Sequence, residues 1–243
     1  MTLMAHPDDA EILCSGTLVR LQQAGWQVHI ATTCAGDCGT ATLPAKQIMA
    51  VRADEARASA AVIGATYHWT GSYDGKVCYD PSTLDRAYEL FRKVCPTLVI
   101  THPARDYMMD HEETHRIARA ASFAYTCRNI STVPLADATV GVPWLYYADP
   151  IEGIDFLGTP VTPTTVIDIS QQQDTKLKML ACHASQRDWL RAHHGMDEYI
   201  DATRRHDALR GTLIGAAAAE AFVQHRGHAY PRHDLLLELF GNP

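Results

Sequence analysis

Residues 2–25, TLMAHPDDAEILCSGTLVRLQQAG, decide the fold class of this chain. The apolar piece TLMA is typical of a very short strand. In ILCSGTLVRLQQAG the apolar residues recur at helical spacing and stop at Gly25, as in an amphipathic helix that ends at a glycine. The polar HPDD between them therefore belongs to a loop. This stretch predicts a strand, a loop and a helix, in that order.

The same alternation continues along the chain. WQVHIATT, ATYHWTG and TLVIT have the composition of strands, whereas PAKQIMAVRADEARASAAVIG, STLDRAYELFRKV and DHEETHRIARAASFAYT have helical periodicity. Strands that alternate with helices are typical of parallel βαβ units with right-handed crossovers. We therefore expect an α/β, Rossmann-like three-layer αβα fold with a mostly parallel sheet, formed by residues 1–243 as a single domain.

The character of the sequence changes after Asn129. The segments VPLADATVGVPWLYYADPIEG and TPVTPTTVIDIS are rich in Pro, Thr and β-branched residues, which indicates irregular loops with two further strands. QQQDTKLKMLACHASQRDWLRAHHG and MDEYIDATRRHDALRGTLIG have the pattern of closing helices.

The composition excludes some classes of partner. The formal net charge of −7 comes from scattered acidic residues, which argues against binding to nucleic acid or to an anionic membrane surface. No apolar run approaches the roughly 20 residues that span a bilayer. Seven cysteines, an odd number without paired short spacings, do not form a disulfide framework and favour a reducing, cytoplasmic location. We expect a soluble protein.

The HPDD loop has the chemistry of a metal site. In a doubly wound sheet the loop after a parallel strand is where ligands bind. The imidazole of His6 and a carboxylate are good ligands for zinc, and the second of the adjacent carboxylates Asp8 and Asp9 could serve as a general base. Alternatively, one of these aspartates simply caps the helix that follows. A cap needs only one carboxylate and explains neither His6 nor the doublet.

A second loop, THPARDYMMDHEETH at residues 101–115, follows the strand TLVI and should open onto the same edge of the sheet. His111 can supply a third metal ligand there. Asp110 can cap the helix or orient a histidine through its second nitrogen. Because His111 and His115 are four residues apart on one helical face, a His-x-x-x-His zinc pair is a competing assignment.

Together the two loops resemble the PIG-L, or LmbE-like, family of zinc-dependent N-acetylglucosaminyl deacetylases. AHPDDAE is similar to the first signature of that family and DYMMDHEETHRI to its Asp-His signature. VRADEARASAAVIGA resembles its Arg-x-x-Glu helix, and LKMLACHASQ its His-x-Ser-Gln segment. The similarity extends over nearly the whole chain.

The resemblance implies a zinc-dependent hydrolase that removes an N-acetyl or other N-acyl group from an amino sugar or its conjugate. It makes His6, Asp9 and His111 the zinc ligands, with a water on the zinc attacking the amide carbonyl. Asp8 becomes the general base, and Asp110 the carboxylate that fixes a histidine. The family also implies a homo-oligomer.

One position departs from the family pattern. Many members carry a histidine where this chain has Met108, and a thioether can neither donate a proton nor stabilise an oxyanion. His102 and His183 are candidate substitutes, His183 as a catalytic residue and His102 near the substrate, although each is equally well explained as a structural histidine. The substitution also leaves open a non-catalytic, metal-binding relative.

Two arginines are candidates for substrate binding. Arg52, on the Arg-x-x-Glu helix, could reach a substrate hydroxyl or phosphate, or could instead pair with Glu55. Arg105 and Asp106, in the same loop, could bind a polar substrate or form a salt bridge within that loop. The substrate itself stays open, because an amidohydrolase for a non-sugar N-acyl compound would use the same metal chemistry. Trp144, Tyr146 and Tyr147 could line its pocket or belong to the core.

Overall fold

The structure is a computed structural model that describes residues 1–131, 133–135, 141–194 and 199–241, without the side chains of residues 193 and 194. Its strands are β1 (Thr2–Met4), β2 (His29–Cys34), β3 (Thr66–Ser72), β4 (Leu98–Thr101), β5 (Trp144–Ala148), β6 (Thr165–Asp168) and β7 (Ala219–Gln224). Its helices are α1 (Asp9–Leu13), α2 (Ser15–Gln23), α3 (Ala45–Ala61), α4 (Pro81–Val94), α5 (Met109–Ala124), α6 (Gln173–Leu180), α7 (Ala184–His194), α8 (Tyr199–Gly211) and α9 (Leu235–Phe240). None of these described helices is long and apolar enough to cross a membrane.

The strands form one seven-stranded sheet in the order β3-β2-β1-β4-β5-β7-β6. Strands β1 to β5 pair with one another in parallel, whereas β7 runs antiparallel to both β5 and β6. This confirms the predicted mostly parallel α/β sheet. The direction in which the chain adds strands reverses between β1 and β4, so the loops after these two strands flank the switch point, where such sheets bind ligands.

Helices cover both faces of the sheet. Leu3 and Met4, neighbours on β1, point into two different hydrophobic clusters, as the period of two in a strand requires. The cluster around Met4 contains residues of α1, α2 and α6, whereas the cluster around Leu3 contains residues of α4 and α5. Because both faces of β1 are buried, its sequence is a continuous apolar run without polar alternation.

The helix expected after the HPDD loop is interrupted, so the prediction of one continuous helix is wrong. Cys14 adopts a non-helical conformation with φ −151° and separates α1 from α2. The new helix start is stabilised from a distance, because the Glu220 carboxylate accepts the backbone N–H groups of Gly16 at 2.8 Å and Thr17 at 2.7 Å. Two orphan N–H groups of α2 are satisfied in this way.

A second predicted helix is also broken. QQQDTKLKMLACHASQRDWLRAHHG forms α6 and α7, which are separated near Cys182 and His183. The Glu55 carboxylate accepts the backbone N–H of Ser185 at 2.8 Å and its hydroxyl at 2.6 Å, and so caps the start of α7. Strand β7, in the segment AEAFVQ, is an element that the sequence did not predict.

Candidate metal centre

Three predicted ligands converge at the switch point of the sheet. His6 lies in the loop after β1, Asp9 is the first residue of α1, and His111 lies in the first turn of α5. One donor atom from each residue lies within 4.8 Å of the other two, and all three side chains are buried. The two loops therefore meet, as the parallel arrangement of β1 and β4 predicts.

The contacts within this cluster suit a shared cation. His111 Nε2 is 3.6 Å from Asp9 Oδ1, and His6 Nδ1 is 3.5 Å from Asp9 Oδ2. Both ring nitrogens of His111 are buried without a hydrogen-bond partner, which is costly unless something else satisfies them. Two imidazole nitrogens and one carboxylate oxygen are the donor set of many catalytic zinc sites. The residues present thus fit a divalent metal of the zinc type.

Electrostatics keep Asp9 ionised. Burial opposes its charge, but the imidazole of His111 holds the pKa of Asp9 well below its usual range. The backbone N–H of His6 also donates to Asp9 Oδ2 at 2.7 Å. An ionised carboxylate is the form that ligates a metal.

Asp8 lies beside the cluster in a strained conformation. Its φ of 108° is rare for a residue with a side chain, and such strain concentrates at functional sites. Although Asp8 occupies the N-cap position of α1, its side chain makes no capping hydrogen bond. Instead, Asp8 Oδ2 accepts the Tyr199 hydroxyl at 2.5 Å, and Oδ1 lies 3.5 Å from Arg52 Nη2. Burial raises the pKa of Asp8, and the charge of Arg52 limits that rise.

Asp110 contacts a different histidine from the one that follows it in sequence. Asp110 Oδ2 lies 3.1 Å from His6 Nε2 and accepts the backbone N–H of Gly75 at 2.7 Å. The Cys34 thiol is 3.8 Å from the same oxygen. Because Asp110 binds one ring nitrogen of His6, the other, Nδ1, faces Asp9.

Two other histidines of the predicted set are fully buried. His102 packs against the cluster on its buried side, with its Nε2 3.2 Å from Asp9 Oδ2. His183, before α7, lies 3.5 Å from Glu11 Oε1, and Glu11 also accepts the Ser59 hydroxyl at 2.6 Å. Burial opposes protonation of His183, but the Glu11 carboxylate raises its pKa above the usual value. Neither ring reaches solvent.

The two arginines have different environments. Arg52 is buried, donates to the Pro7 carbonyl at 2.6 Å, and holds the HPDD loop against α3. The alternative partner, Glu55, bonds Ser185 instead. Arg105 lies in the loop between β4 and α5. Its side chain is 65% exposed, and its Nη1 is 3.5 Å from Asp155 Oδ2. Of the two, Arg105 is the one open to solvent.

Two neighbours of the site, Tyr107 and Tyr199, had no distinctive sequence signal of their own, whereas the sequence singled out Asp106 and His115 within residues 101–115. Tyr199 begins α8, at the far end of the chain from its partner Asp8, and Asp106 lies 3.1 Å from His111 Nδ1. Tyr107 is exposed and presents its ring edge-on to His111, with 5.3 Å between centroids. His115 Nδ1 lies 2.9 Å from the His102 carbonyl oxygen, so that nitrogen of the competing His-x-x-x-His pair faces away from the ligands.

The aromatic residues proposed as a pocket wall belong to β5. Trp144, Tyr146 and Tyr147 are strand residues, and Tyr146 is fully buried in the core with its hydroxyl 2.9 Å from Asp234 Oδ1. Met108, which stands where the family pattern has histidine, is the half-buried N-cap residue of α5.

The fold and the cluster define a class: an α/β protein with a candidate mononuclear metal site at the switch point of a mostly parallel sheet. The family described as GlcNAc-PI de-N-acetylase, PIG-L, matches residues 1–122, which is half of the 243-residue chain. The chain belongs to the PIG-L family.

Individual relatives carry two kinds of activity in their names. The 4-oxalmesaconate hydratase of Pseudomonas putida is 23% identical over 242 residues, which cover 96% of this chain and 89% of that protein. The 1D-myo-inositol 2-acetamido-2-deoxy-alpha-D-glucopyranoside deacetylase of a Mycobacterium species is 26% identical over 221 residues, covering 75% of this chain and 72% of the other.

A solved structure shares the fold. The N,N'-diacetylchitobiose deacetylase from Pyrococcus horikoshii superposes with a TM-score of 0.77 at 22% identity, covering 96% of this chain and 87% of that one. The likeness therefore extends beyond residues 1–122 to the C-terminal strands and helices.

Proposed function

We propose that this protein is a zinc-dependent hydrolase that removes an N-acetyl, or other N-acyl, group from an amino sugar or an amino-sugar conjugate. The observation that carries the proposal is the convergence of His6, Asp9 and His111 beside the strained carboxylate of Asp8. Membership of the PIG-L family and the deacetylase names among its relatives support the same reaction.

The three ligands would hold the metal, and Asp8 would move the proton. A zinc ion bound there would polarise the amide carbonyl and lower the pKa of a water molecule. Asp8 is buried next to the ligands and is not itself needed as one, so it is placed to take a proton from the attacking water. The same carboxyl group can then return the proton to the departing amine nitrogen. Asp8 would then serve as the general acid as well, so the reaction would not need a histidine at position 108.

The neighbouring residues have supporting roles in this proposal. Asp110 fixes the ring of His6, and Arg52 and Tyr199 hold the carboxylate of Asp8. His183 is buried behind Glu11, so we propose that its charge acts on Asp8 through the protein interior rather than by touching the substrate.

Substrate contacts would come from the loop between β4 and α5. Arg105 and Tyr107 are both exposed in this loop, and Tyr107 packs against His111. Arg105 would bind polar groups of a sugar or another small molecule, and the ring of Tyr107 would pack against it. His102, predicted to bind substrate, is fully buried, and we propose that it supports the ligands from below.

A second candidate is hydration of an unsaturated acid, as the name of the Pseudomonas putida relative suggests. The match to that hydratase covers 96% of this chain, more than the 75% matched to the Mycobacterium deacetylase.

Other expectations accompany the proposal. We propose that residues 1–243 form one domain, because strands from both halves of the chain pair in one sheet. A cytoplasmic location is consistent with the seven free cysteines, and a homo-oligomer is the family expectation. The small-molecule partner is an N-acylated amino sugar in the first instance; nucleic acid and membrane are not expected partners.

A substrate panel tests the proposal. The zinc-loaded protein would be assayed for released amine with N-acetylglucosamine, N,N'-diacetylchitobiose and a non-sugar N-acyl amine. It would also be assayed for loss of the conjugated chromophore with 4-carboxy-2-hydroxymuconate, the compound in the name of a solved Pseudomonas putida hydratase of similar fold. We expect amine release from at least one acetylated sugar. Turnover of only the non-sugar amide, turnover of only the muconate, or no turnover would each contradict sugar deacetylation, and would favour the non-sugar amidase, the hydratase or the non-catalytic relative, respectively.

A further inference from the structure

Asp106 lies against two histidines of the metal centre at the bottom of the site. Its carboxylate is almost fully buried, with Oδ1 3.1 Å from His111 Nδ1 and Oδ2 3.9 Å from His102 Nδ1. Asp106 Oδ1 and both Nδ1 atoms are buried, and within the described residues none of the three makes a well-aligned hydrogen bond. The contact between Asp106 Oδ1 and His111 Nδ1 has the length of a hydrogen bond but not its alignment, and no other partner competes for either atom among those residues.

The two histidine rings are stacked in a way that suits a carboxylate. The rings of His102 and His111 lie nearly parallel, with 15° between planes and 3.9 Å between centroids. The two oxygens of one carboxylate can each accept an N–H from one ring of such a pair. A metal ion bound to both Nδ1 atoms would lie out of at least one ring plane, away from the nitrogen lone pair. The geometry therefore favours hydrogen bonding over a second metal site made of these residues.

The backbone decides where His102 carries its proton. The N–H of Ala5 lies 2.9 Å from His102 Nε2 and can only donate, so Nε2 is an acceptor and the proton is on Nδ1. The 3.2 Å contact between Nε2 and Asp9 Oδ2 would require the opposite tautomer. The Ala5 bond decides between the two because it is shorter and its donor is fixed. The His102 N–H thus points toward Asp106.

Asp106 is itself held in place. Its backbone N–H donates to Glu112 Oε1 at 3.0 Å, which ties the loop after β4 to the first turn of α5, the turn that carries His111. The carboxylate is therefore fixed relative to the histidine that it contacts.

We propose that Asp106 is a positioning residue for the metal centre. Its carboxylate accepts the Nδ1 proton of His111 and so leaves the Nε2 lone pair directed at Asp9 Oδ1, 3.6 Å away, where the metal would bind. A carboxylate behind a histidine ligand fixes the tautomer and ring orientation and raises the basicity of the ligand. This inference rests on the proposed role of His111 as a ligand, and it pairs Asp106 with His111 as Asp110 is paired with His6.

Metal affinity tests the inference without reference to activity. The dissociation constant for Zn²⁺ alone would be measured by chelator competition for the wild type, Asp106→Asn and Asp106→Leu. Leucine has a similar size and no acceptor, so we expect about 10- to 100-fold weaker binding, the usual effect of losing such a partner. Asparagine keeps one carbonyl acceptor and should bind with intermediate affinity. Wild-type affinity in a folded Asp106→Leu protein would overturn the inference.

A control and a spectroscopic measurement separate positioning from general damage. Asp149→Asn removes another buried carboxylate, one that pairs with Arg210, and should leave zinc affinity within about threefold of wild type. If Asp106→Leu does not fold, nitrogen NMR of the zinc-free wild type and zinc-free Asp106→Asn decides, because bound zinc would itself fix the His111 tautomer. We expect the wild type to show His111 protonated at Nδ1, and the variant to lose part of that population.

An unchanged His111 tautomer in Asp106→Asn would overturn the role of Asp106. Failure of the proposed function has a different signature: the wild type itself would bind no zinc. The two failures are therefore distinguishable in the same titration.

Discussion

Asp8, beside the candidate metal centre, has a strained backbone conformation. A φ of 108° in a residue with a Cβ costs about 1–3 kcal/mol, and surrounding contacts must hold it in place. Here Arg52 binds the carbonyl of the preceding Pro7, and Tyr199 binds the Asp8 carboxylate. In this conformation the Asp8 carboxylate binds Tyr199 and lies near Arg52 instead of capping the start of α1.

Replacing this carboxylate with an amide tests its proposed role as the base. Asp8→Asn should keep the fold, because asparagine tolerates a positive φ, and should keep the metal, because Asp8 is not one of the three ligands. We expect kcat/KM to fall by about 10²- to 10⁴-fold, the usual contribution of a general base. Steady-state kinetics together with metal analysis of the same preparation measure both effects. Turnover at the wild-type rate would show that another residue is the base.

At the scale of elements, the sequence predicted the strands and helices that local periodicity defines. Strands β1 to β4 and helices α3 to α5 lie where the apolar patterns placed them. The helix breaks at Cys14 and near His183 were missed because the groups that stabilise the new helix starts, Glu220 and Glu55, are more than 100 residues away in sequence. Strand β7 was missed because it depends on pairing with β5 and β6.

In the candidate site, too, the local sequence predicts some features and distant contacts decide the others. Composition and position after parallel strands identify two short segments, each running from a loop into the start of a helix, that carry His6, Asp8, Asp9, Asp110 and His111. Which carboxylate serves which histidine depends on side-chain directions at the mouth of the sheet, and no spacing rule predicts those. Asp110 contacts the histidine of the other loop, and Tyr199 reaches Asp8 from a helix that locally has only the pattern of a helix.

The cap of α7 allows a test at this scale. Glu55→Ala removes the acceptor for the Ser185 N–H and hydroxyl, and we expect the free energy of unfolding to fall by about 1–2 kcal/mol. Asp54→Ala, at the exposed neighbouring position on α3, should change it by less than about 0.5 kcal/mol. Urea unfolding with comparable m values measures both variants. Equal stabilities of the two variants would mean that the cap contributes nothing.

On the scale of the whole molecule, the candidate metal centre depends on the sheet, which brings distant parts of the chain together. His6 and His111 are brought together by the parallel pairing of β1 with β4, and the residues that hold Asp8 come from α3 and α8. The part of the chain matched to the PIG-L family, residues 1–122, contains the three candidate ligands. The remainder supplies Tyr199, which donates to Asp8, and Glu220, which accepts from the start of α2, so the second half of the chain supports the candidate site in the first half.

The metal content of the purified protein, measured before and after dialysis against Zn²⁺, tests the central claim most directly. Three protein ligands with an open position predict about one zinc per chain in the wild type. His111→Ala, which removes the ligand supplied by the second loop, should lose it while His115→Ala, outside the cluster, should retain it. A wild-type protein that takes up no zinc, or a His111→Ala protein that binds it as tightly as the wild type, would contradict the account.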